Sequence, residues 1–467
     1  MTKRSPVSPA PGPLEDYARC FDDLSGSRAQ RHSFRRYLEG LLLPAERNKT
    51  LTALANTEPL KGAQRKEAQS LQWFLSESRW DYREINRRRV ELLLEDPASA
   101  PNERGALVID ETGDRKEGKK TAHVGRQYLS SIGKIDNGVV SVSSLWADER
   151  VYYPLEVEPY TPSHHFEGER EDPLFRTKPL IALELVEAAV EGGIPFRAVV
   201  ADILYGDNRG LRKGLEKKRI PYVLALKPSY AWYHPITEPG TVEEIAQLAP
   251  WEGSDDPGEW VKLSRTFRDG HTEEWWALEA ECRPFGKEKQ RRLIVATTDP
   301  AELPERTTWY LLTNMPAAGS LRAIESGLEV AEVAEVVRLY SLRSWIEQSY
   351  KQVKNSLGWA HYQVRSDLAI RRHWQLVCCA FTFCWLANTD LLLEEEAPPG
   401  VVLEEGTSSC TSSVERGKKG ERKNSASSVL ARGTKKGEDV AGAVRNALAL
   451  LEGVLREAPT QGTAKAA

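Results

Sequence analysis

Apolar positions along this chain change their period several times, and the changes divide it. Between Leu14 and Pro97 they recur at helical spacing, as in "FRRYLEGLLL" and "EAQSLQWFLSES". That spacing puts them on one face of successive helices. "DPASAPNERG" breaks the pattern with Pro, Gly and small polar residues and predicts a linker. The runs then shorten. "ALVID" predicts a buried strand ending on Asp110, and "RQYLSSIG", "NGVVSVSSLWA" and "ERVYYPLEVEPY" predict a meander, with "KIDNG" as a hairpin turn. "PLIALELVEAAVEGG" predicts a helix closed by Gly-Gly. "FRAVVAD" predicts a second buried strand, ending on Asp202, followed by a helix in "NRGLRKGLEKKRI" and a strand in "PYVLALK". A meander followed by helix, strand, helix, strand predicts an α/β fold: a mixed sheet with helices packed on it.

Beyond Ser229 the pattern changes again. "EWVKLSRTFRDGHTEEWWALEAECR", "RRLIVATTD" and "TTWYLLTNMP" are β-rich, with turn signals and several Trp. Helical spacing returns near Glu329 and runs through Glu347 to about Leu393. The expected organisation is therefore a flexible arm (1–13), a helical N-terminal domain (14–97), a first core part (98–228), a β-rich insertion (229–327) and closing core helices (328–393); the N-terminal domain is either DNA-binding, through its basic face, or an ordinary helical bundle. "TSSVERGKKGERKNSASS" marks 394–437 as a low-complexity, disordered linker, and 438–467 as a C-terminal helix and tail.

Charge sharpens this picture locally. The formal net charge of the 467 residues is -4, so the chain is no bulk polycation. Yet Arg28 to Val90 carries 14 Lys/Arg against 7 Asp/Glu, and Arg338 to His373 carries 7 against 2. Such blocks suit phosphate contacts, or else ordinary solvated helix faces. The six cysteines form no CxxC pair, and Cys378, Cys379 and Cys384 sit in the apolar run "LVCCAFTFCWLA" as expected core thiols. "MTKRSPVSPAPGP" has no apolar secretory stretch, and no apolar run is long enough for a membrane span. The expected setting is a reducing cytoplasm without membrane contact.

Candidate chemistry centres on "YSLRSWIEQSYKQVK". On a helix, Tyr340, Arg343, Glu347, Tyr350, Lys351 and Lys354 fall within an arc of about 100°. The ordinary account is i,i+4 pairing of Glu347 with Arg343 and Lys351. Asp110 and Asp202 each close a predicted buried strand, where a carboxylate reaches solvent on a rigid backbone; turn or cap residues are the ordinary account there. Three acids on separate rigid elements can converge, and oxygen ligands of this kind suit Mg²⁺. Glu111 and Asp207, beside them, are expected to be supporting or surface acids. His164-His165 lack partners at zinc spacing, and HExxH, Walker-A, GxGxxG and GxSxG motifs are absent.

These blocks resemble a known family. Tyr340-x2-Arg343-x3-Glu347-x6-Lys354 matches the YREK signature of bacterial insertion-sequence transposases with a DDE triad. "VIDETGDRKEGKKTAHVGRQY" and "VVADILYGDN" are similar to the first-Asp and second-Asp blocks of the insertion-sequence 701 branch. "LGWAHYQVRSDLAIRRHWQL" and "SRWDYREINRRR" resemble its flanking segments. The resemblance implies an RNase H-like core, with Asp110, Asp202 and Glu347 as catalytic residues binding two Mg²⁺ ions (Mn²⁺ as substitute). It implies that Tyr340, Arg343 and Lys354 position DNA. It further implies cleavage at transposon ends, joining of the freed 3′-OH to target DNA, a homodimer in the synaptic complex, and a bacterial, nucleoid-associated protein. A DNA-binding derivative that does not cut, or a nuclease that does not join strands, are the alternative functions. Relatives stack a flipped base on an insertion-domain Trp; for Trp260, Trp275 and Trp276 core packing is the expectation here.

Overall fold

Among the described residues, the first hundred form six α-helices: α1 (Pro13–Arg19), α2 (Arg28–Leu42), α3 (Leu51–Leu54), α4 (Pro59–Gly62), α5 (Lys66–Ser76) and α6 (Tyr82–Glu95). The computed structural model describes residue 10 and residues 12–44, 47–233, 240–267, 270–284, 291–387 and 401–403. Helix α2 shows why the pattern works. Ser27 and Gln30 form a reciprocal capping box, and Phe34, Tyr37, Leu38 and Leu41 make one buried stripe. The basic surplus of this region is partly internal. Arg31, Arg35, Lys49 and Arg89 are buried, and Arg35 is paired with Glu15 and Asp22.

Strands β1 (Ala106–Arg115), β2 (Gly125–Leu129), β3 (Lys134–Ala147) and β4 (Tyr152–Tyr160) make the antiparallel half of the core. β3 pairs with β1 along one edge and shares its other edge between β2 and β4. The turn between β2 and β3 lies at residues 130–133, not at "KIDNG", because Gly133 supplies the left-handed residue (φ 62°). Asn137 is instead a strand residue whose side-chain amide holds the Lys116 and Gly118 carbonyls after β1. Helix α7 (Lys178–Glu191) crosses over to β5 (Ala198–Ala201), α8 (Ile203–Gly206) and α9 (Arg209–Lys217) follow, and β6 (Tyr222–Leu226) completes three parallel strands. β5 pairs with β1 on one side and β6 on the other.

The β-rich stretch holds β7 (Ala231–Tyr233), β8 (Gly240–Thr241), α10 (Val242–Leu248), β9 (Val261–Thr266), β10 (Thr272–Pro284), β11 (Arg291–Thr297) and β12 (Thr308–Thr313). It continues the core sheet, since β12 pairs antiparallel with β6. Trp260, Trp275 and Trp276 are buried there. The closing helical stretch is interrupted. After α11 (Leu321–Glu325) come α12 (Val333–Ser341), α13 (Ser344–Asn355) and α14 (Asp367–Leu386). Tyr340 therefore ends one helix and Glu347 starts the next, with Arg343 at the junction, and Gly358 (φ 73°) turns the chain towards α14. β13 (Val401–Leu403) adds to β9, a strand within the stretch expected to be linker. The rest of 394–437, the expected C-terminal helix and tail at 438–467, and most of the expected arm lie outside the described residues.

α14 is the axis of the molecule. Nearly every side chain from Ala369 to Trp385 is buried, including Cys378, Cys379 and Cys384. Helices α2, α5 and α6 pack on it, as does β4. Arg89 crosses this joint, donating to the Pro154 and Leu155 carbonyls of β4 and to Thr382 of α14. Among the described residues no helix is long and apolar enough to cross a membrane.

Candidate active site

The parallel ladder between β1 and β5 ends at Ile109 opposite Ala201. The next residue on each strand is an aspartate. β1 does not stop at Asp110; it continues to Arg115 against β3, so Asp110 sits mid-strand and is rigid by backbone pairing. Asp202 leaves β5 and caps α8, accepting from the Leu204 amide at 3.0 Å. The α8 turn is pressed flat on the sheet. A Cβ on Gly206 would meet the Ala225 carbonyl oxygen at 1.8 Å, so glycine is required there.

The third element is α13, which runs along β1. Lys354 Nζ pairs with Asp114 Oδ1 at 2.7 Å, and Arg343 Nη2 reaches Asp110 Oδ2 at 3.3 Å. Four strand residues span about 13 Å and eleven helix residues about 16 Å, so the Arg343–Lys354 spacing matches the Asp110–Asp114 spacing. Between them the Tyr350 hydroxyl donates to the Asp110 carbonyl at 3.0 Å and meets the Ser143 hydroxyl at 2.6 Å.

Arg343 gathers the acids. Its Nη1 pairs with Glu347 Oε1 at 2.8 Å, and its Nη2 also lies 3.8 Å from Asp202 Oδ2. The helix pair that local spacing suggests, Arg343 with Glu347, is thus present as one part of a larger constellation. Burial, and then the neighbouring Asp202 and Glu111 charges, push the Asp110 carboxyl well above the usual carboxylate range, against the pull of Arg343. Asp202 is raised first by burial and then by Glu111. Burial opposes the charge on Arg343, yet Asp110, Tyr340, Asp202 and Glu347 together push its pKa well above the ordinary value. Tyr340, whose pKa burial raises to about 12, packs edge-on against Trp309 at 5.1 Å. Lys351 is exposed.

Three carboxylates from three elements, all oxygen donors and all drawn to one cation, have the chemistry of a hard divalent-ion site. With the guanidinium among them, no group of three or more His, Cys, Asp or Glu among the described residues is arranged to hold a metal ion. His165 Nε2 meets the Val124 carbonyl at 2.6 Å.

Sequence spacing singled out the three acids and left Glu111 as either a supporting or a surface acid, without its partners. Glu111 is no surface acid: its carboxylate takes Lys178 Nζ at 2.9 Å and the Tyr205 hydroxyl at 2.7 Å. The available signal was three acids within five residues of one strand, "DETGD", where burial demands partners. The second basic block is also partly internal. Arg338 and Arg372 are buried, and Arg371 pairs with Glu158 and Asp367.

A model of the DDE superfamily endonucleases matches residues 17–278, and a transposase DDE domain model matches residues 181–383. The probable transposase for insertion sequence element IS701 of Microchaete diplosiphon is 30% identical over 366 residues, covering 78% of this chain and 85% of that protein.

Proposed function

This chain belongs to the DDE transposase family, and on that premise we propose that it cuts phosphodiester bonds at transposon ends and joins the freed 3′-OH to target DNA. The observation that carries the reading is the meeting of Asp110, Asp202 and Glu347 on one guanidinium. In this proposal the three carboxylates are the catalytic residues and hold two Mg²⁺ ions, or Mn²⁺ in their place. When bound, the ions would activate the attacking hydroxyl and stabilise the leaving oxygen.

The chain's own residues do the rest. Asp110 is fixed by pairing with β3 and by the Tyr350 hydroxyl on its carbonyl. Asp202 is fixed by its cap on α8. Glu347, in the first turn of α13, is half-exposed and brings its carboxylate from the solvent side. Tyr340, Arg343 and Lys354 are assigned to positioning the DNA strand. Arg343 is best placed of the three, since a phosphate entering among the acids would meet its guanidinium directly. In the helical region, residues 14–97, exposed Arg28, Lys61, Arg65, Lys66, Arg79 and Arg83 supply the cations for backbone contact. Two transposon ends held together imply a homodimer on DNA.

Asp110→Asn, Asp202→Asn and Glu347→Gln are each expected to abolish Mg²⁺-dependent cleavage of end DNA and to leave DNA binding within a few-fold of wild type. Wild-type cleavage by any one variant removes that residue from the triad. Precut ends with free 3′-OH groups test joining separately: cleavage without joining would make the protein a nuclease of the same fold, and binding without cleavage a DNA-binding derivative.

A further inference from the structure

Where the β1–β5 ladder stops, at Ile109 and Ala201, the two aspartates that follow lose their mutual backbone tie. Nothing in the sheet itself then sets the distance between Asp110 and Asp202. The next link across the gap is made by side chains. Glu111 follows Asp110 on β1, and Tyr205 lies three residues after Asp202 on α8. The Tyr205 hydroxyl donates to Glu111 Oε2 at 2.7 Å. Tyr205 is fully buried and Glu111 is well covered, so the bond is shielded from water. Lys178, the first residue of α7, takes the other carboxylate oxygen at 2.9 Å and supplies the counter-charge that a covered acid needs.

We infer that Glu111 and Tyr205 are positioning residues that set the separation of Asp110 and Asp202, with Lys178 holding Glu111 in place. The inference rests on the reading of both aspartates as metal-holding groups. It explains three otherwise unconnected features. Glu111 is an acid on a buried strand with no part in the triad. Tyr205 is a large buried side chain in a four-residue helix. Gly206 lets that helix lie against the Ala225 carbonyl, which brings Tyr205 down to the level of Glu111. The bond acts where the ladder cannot, one step beyond its last pair, and its loss would free the α8 turn to shift relative to β1 while both strands stay paired.

The test is direct Mn²⁺ binding by the full chain without DNA, followed by the paramagnetic resonance signal of the free ion, with melting temperatures of the metal-free proteins in parallel. Tyr205→Phe changes no charge and is expected to weaken Mn²⁺ binding about tenfold or more, the range for residues that orient metal ligands, while melting within a few degrees of wild type. Glu111→Gln keeps an acceptor for Tyr205 and Glu111→Ala does not, so position requires Ala to bind several-fold more weakly than Gln. Mn²⁺ affinity within about twofold of wild type in Tyr205→Phe, or equal affinities for the Gln and Ala variants, overturns the inference. Asp202→Asn separates the two levels. If it weakens binding while Tyr205→Phe does not, only the positioning role fails; if it binds Mn²⁺ as wild type does, the metal reading itself fails and the inference with it.

Discussion

Arg343 is read by local spacing as a helix cation beside Glu347, and that pair exists at 2.8 Å. What spacing could not supply is the same guanidinium's reach to Asp110 on β1 and to Asp202 just beyond β5, both more than a hundred residues upstream. Asp110 and Asp202 were legible because each follows an apolar run of strand length. Glu111 was legible only as a supporting or a surface acid, and Lys178 and Tyr205 were not legible, because their partnership closes across three elements. Gly206 carries a prediction at this scale. Gly206→Ala places a methyl against the Ala225 carbonyl, so α8 must lift off the sheet. Overpacking of this kind costs about 1–3 kcal/mol, and the shift carries Asp202 with it. The expected result is a lower denaturation midpoint together with a larger loss of cleavage; a variant with wild-type midpoint and rate would show that α8 is free to move.

Elements were predicted best where one face decides them. The stripe of α2, the Gly-Gly end of α7 and the four-residue β5 follow from apolar period and end signals. The break between α12 and α13 was invisible, because apolar spacing continues across it while Tyr340 is drawn towards Trp309. The junction of α2 with α14 gives a pH prediction. His373 on α14 is fully buried, with Nδ1 at 2.8 Å from the Tyr37 hydroxyl and Nε2 facing the Gly358 and Trp359 carbonyls. Burial lowers its pKa to about 3, with Lys116 adding to the effect. The unfolded chain therefore takes up a proton below its ordinary value of about 6.5 that the folded chain refuses. Stability contributed by neutral His373 is complete above that value and falls by about 1.4 kcal/mol per pH unit as pH drops towards 3. Urea denaturation from pH 7.5 to 4.5 should show this slope in wild type and lose it in His373→Gln, beyond what the carboxylates common to both contribute.

At the scale of the whole molecule, the N-terminal helices are joined to the core rather than appended to it. Arg89 on α6 is buried and spends its donors on β4 carbonyls, Asn86 and Thr382. Arg89→Met keeps the aliphatic stem but takes its donor from the Pro154 carbonyl and leaves the Leu155 carbonyl with Asn86 alone. At about 1–3 kcal/mol for a buried group that loses its partner, a loss of about 2 kcal/mol is expected, with earlier proteolysis between α6 and β1. A wild-type melting curve for this variant would mean that the joint depends on apolar packing alone. The same burial corrects the reading of charge. Four of the basic side chains counted in the first block are internal, so the surface available to DNA is less cationic than the sequence total.

By itself the sequence determined the mixed α/β class, the helical N-terminal region and the β-rich insertion, and it named the three acids as candidates. These depend on local period, end signals and motif spacing, which are properties of neighbouring residues. The hairpin at residues 130–133, the continuation of β1 past Asp110 and the fusion of the insertion to the core sheet through β6 and β12 were decided by tertiary structure. So were the half-buried, paired places of Arg343, Lys354 and Glu111. A strand edge, a buried charge and a shared cation are each satisfied by whatever the fold brings alongside, and that partner is far away in the chain.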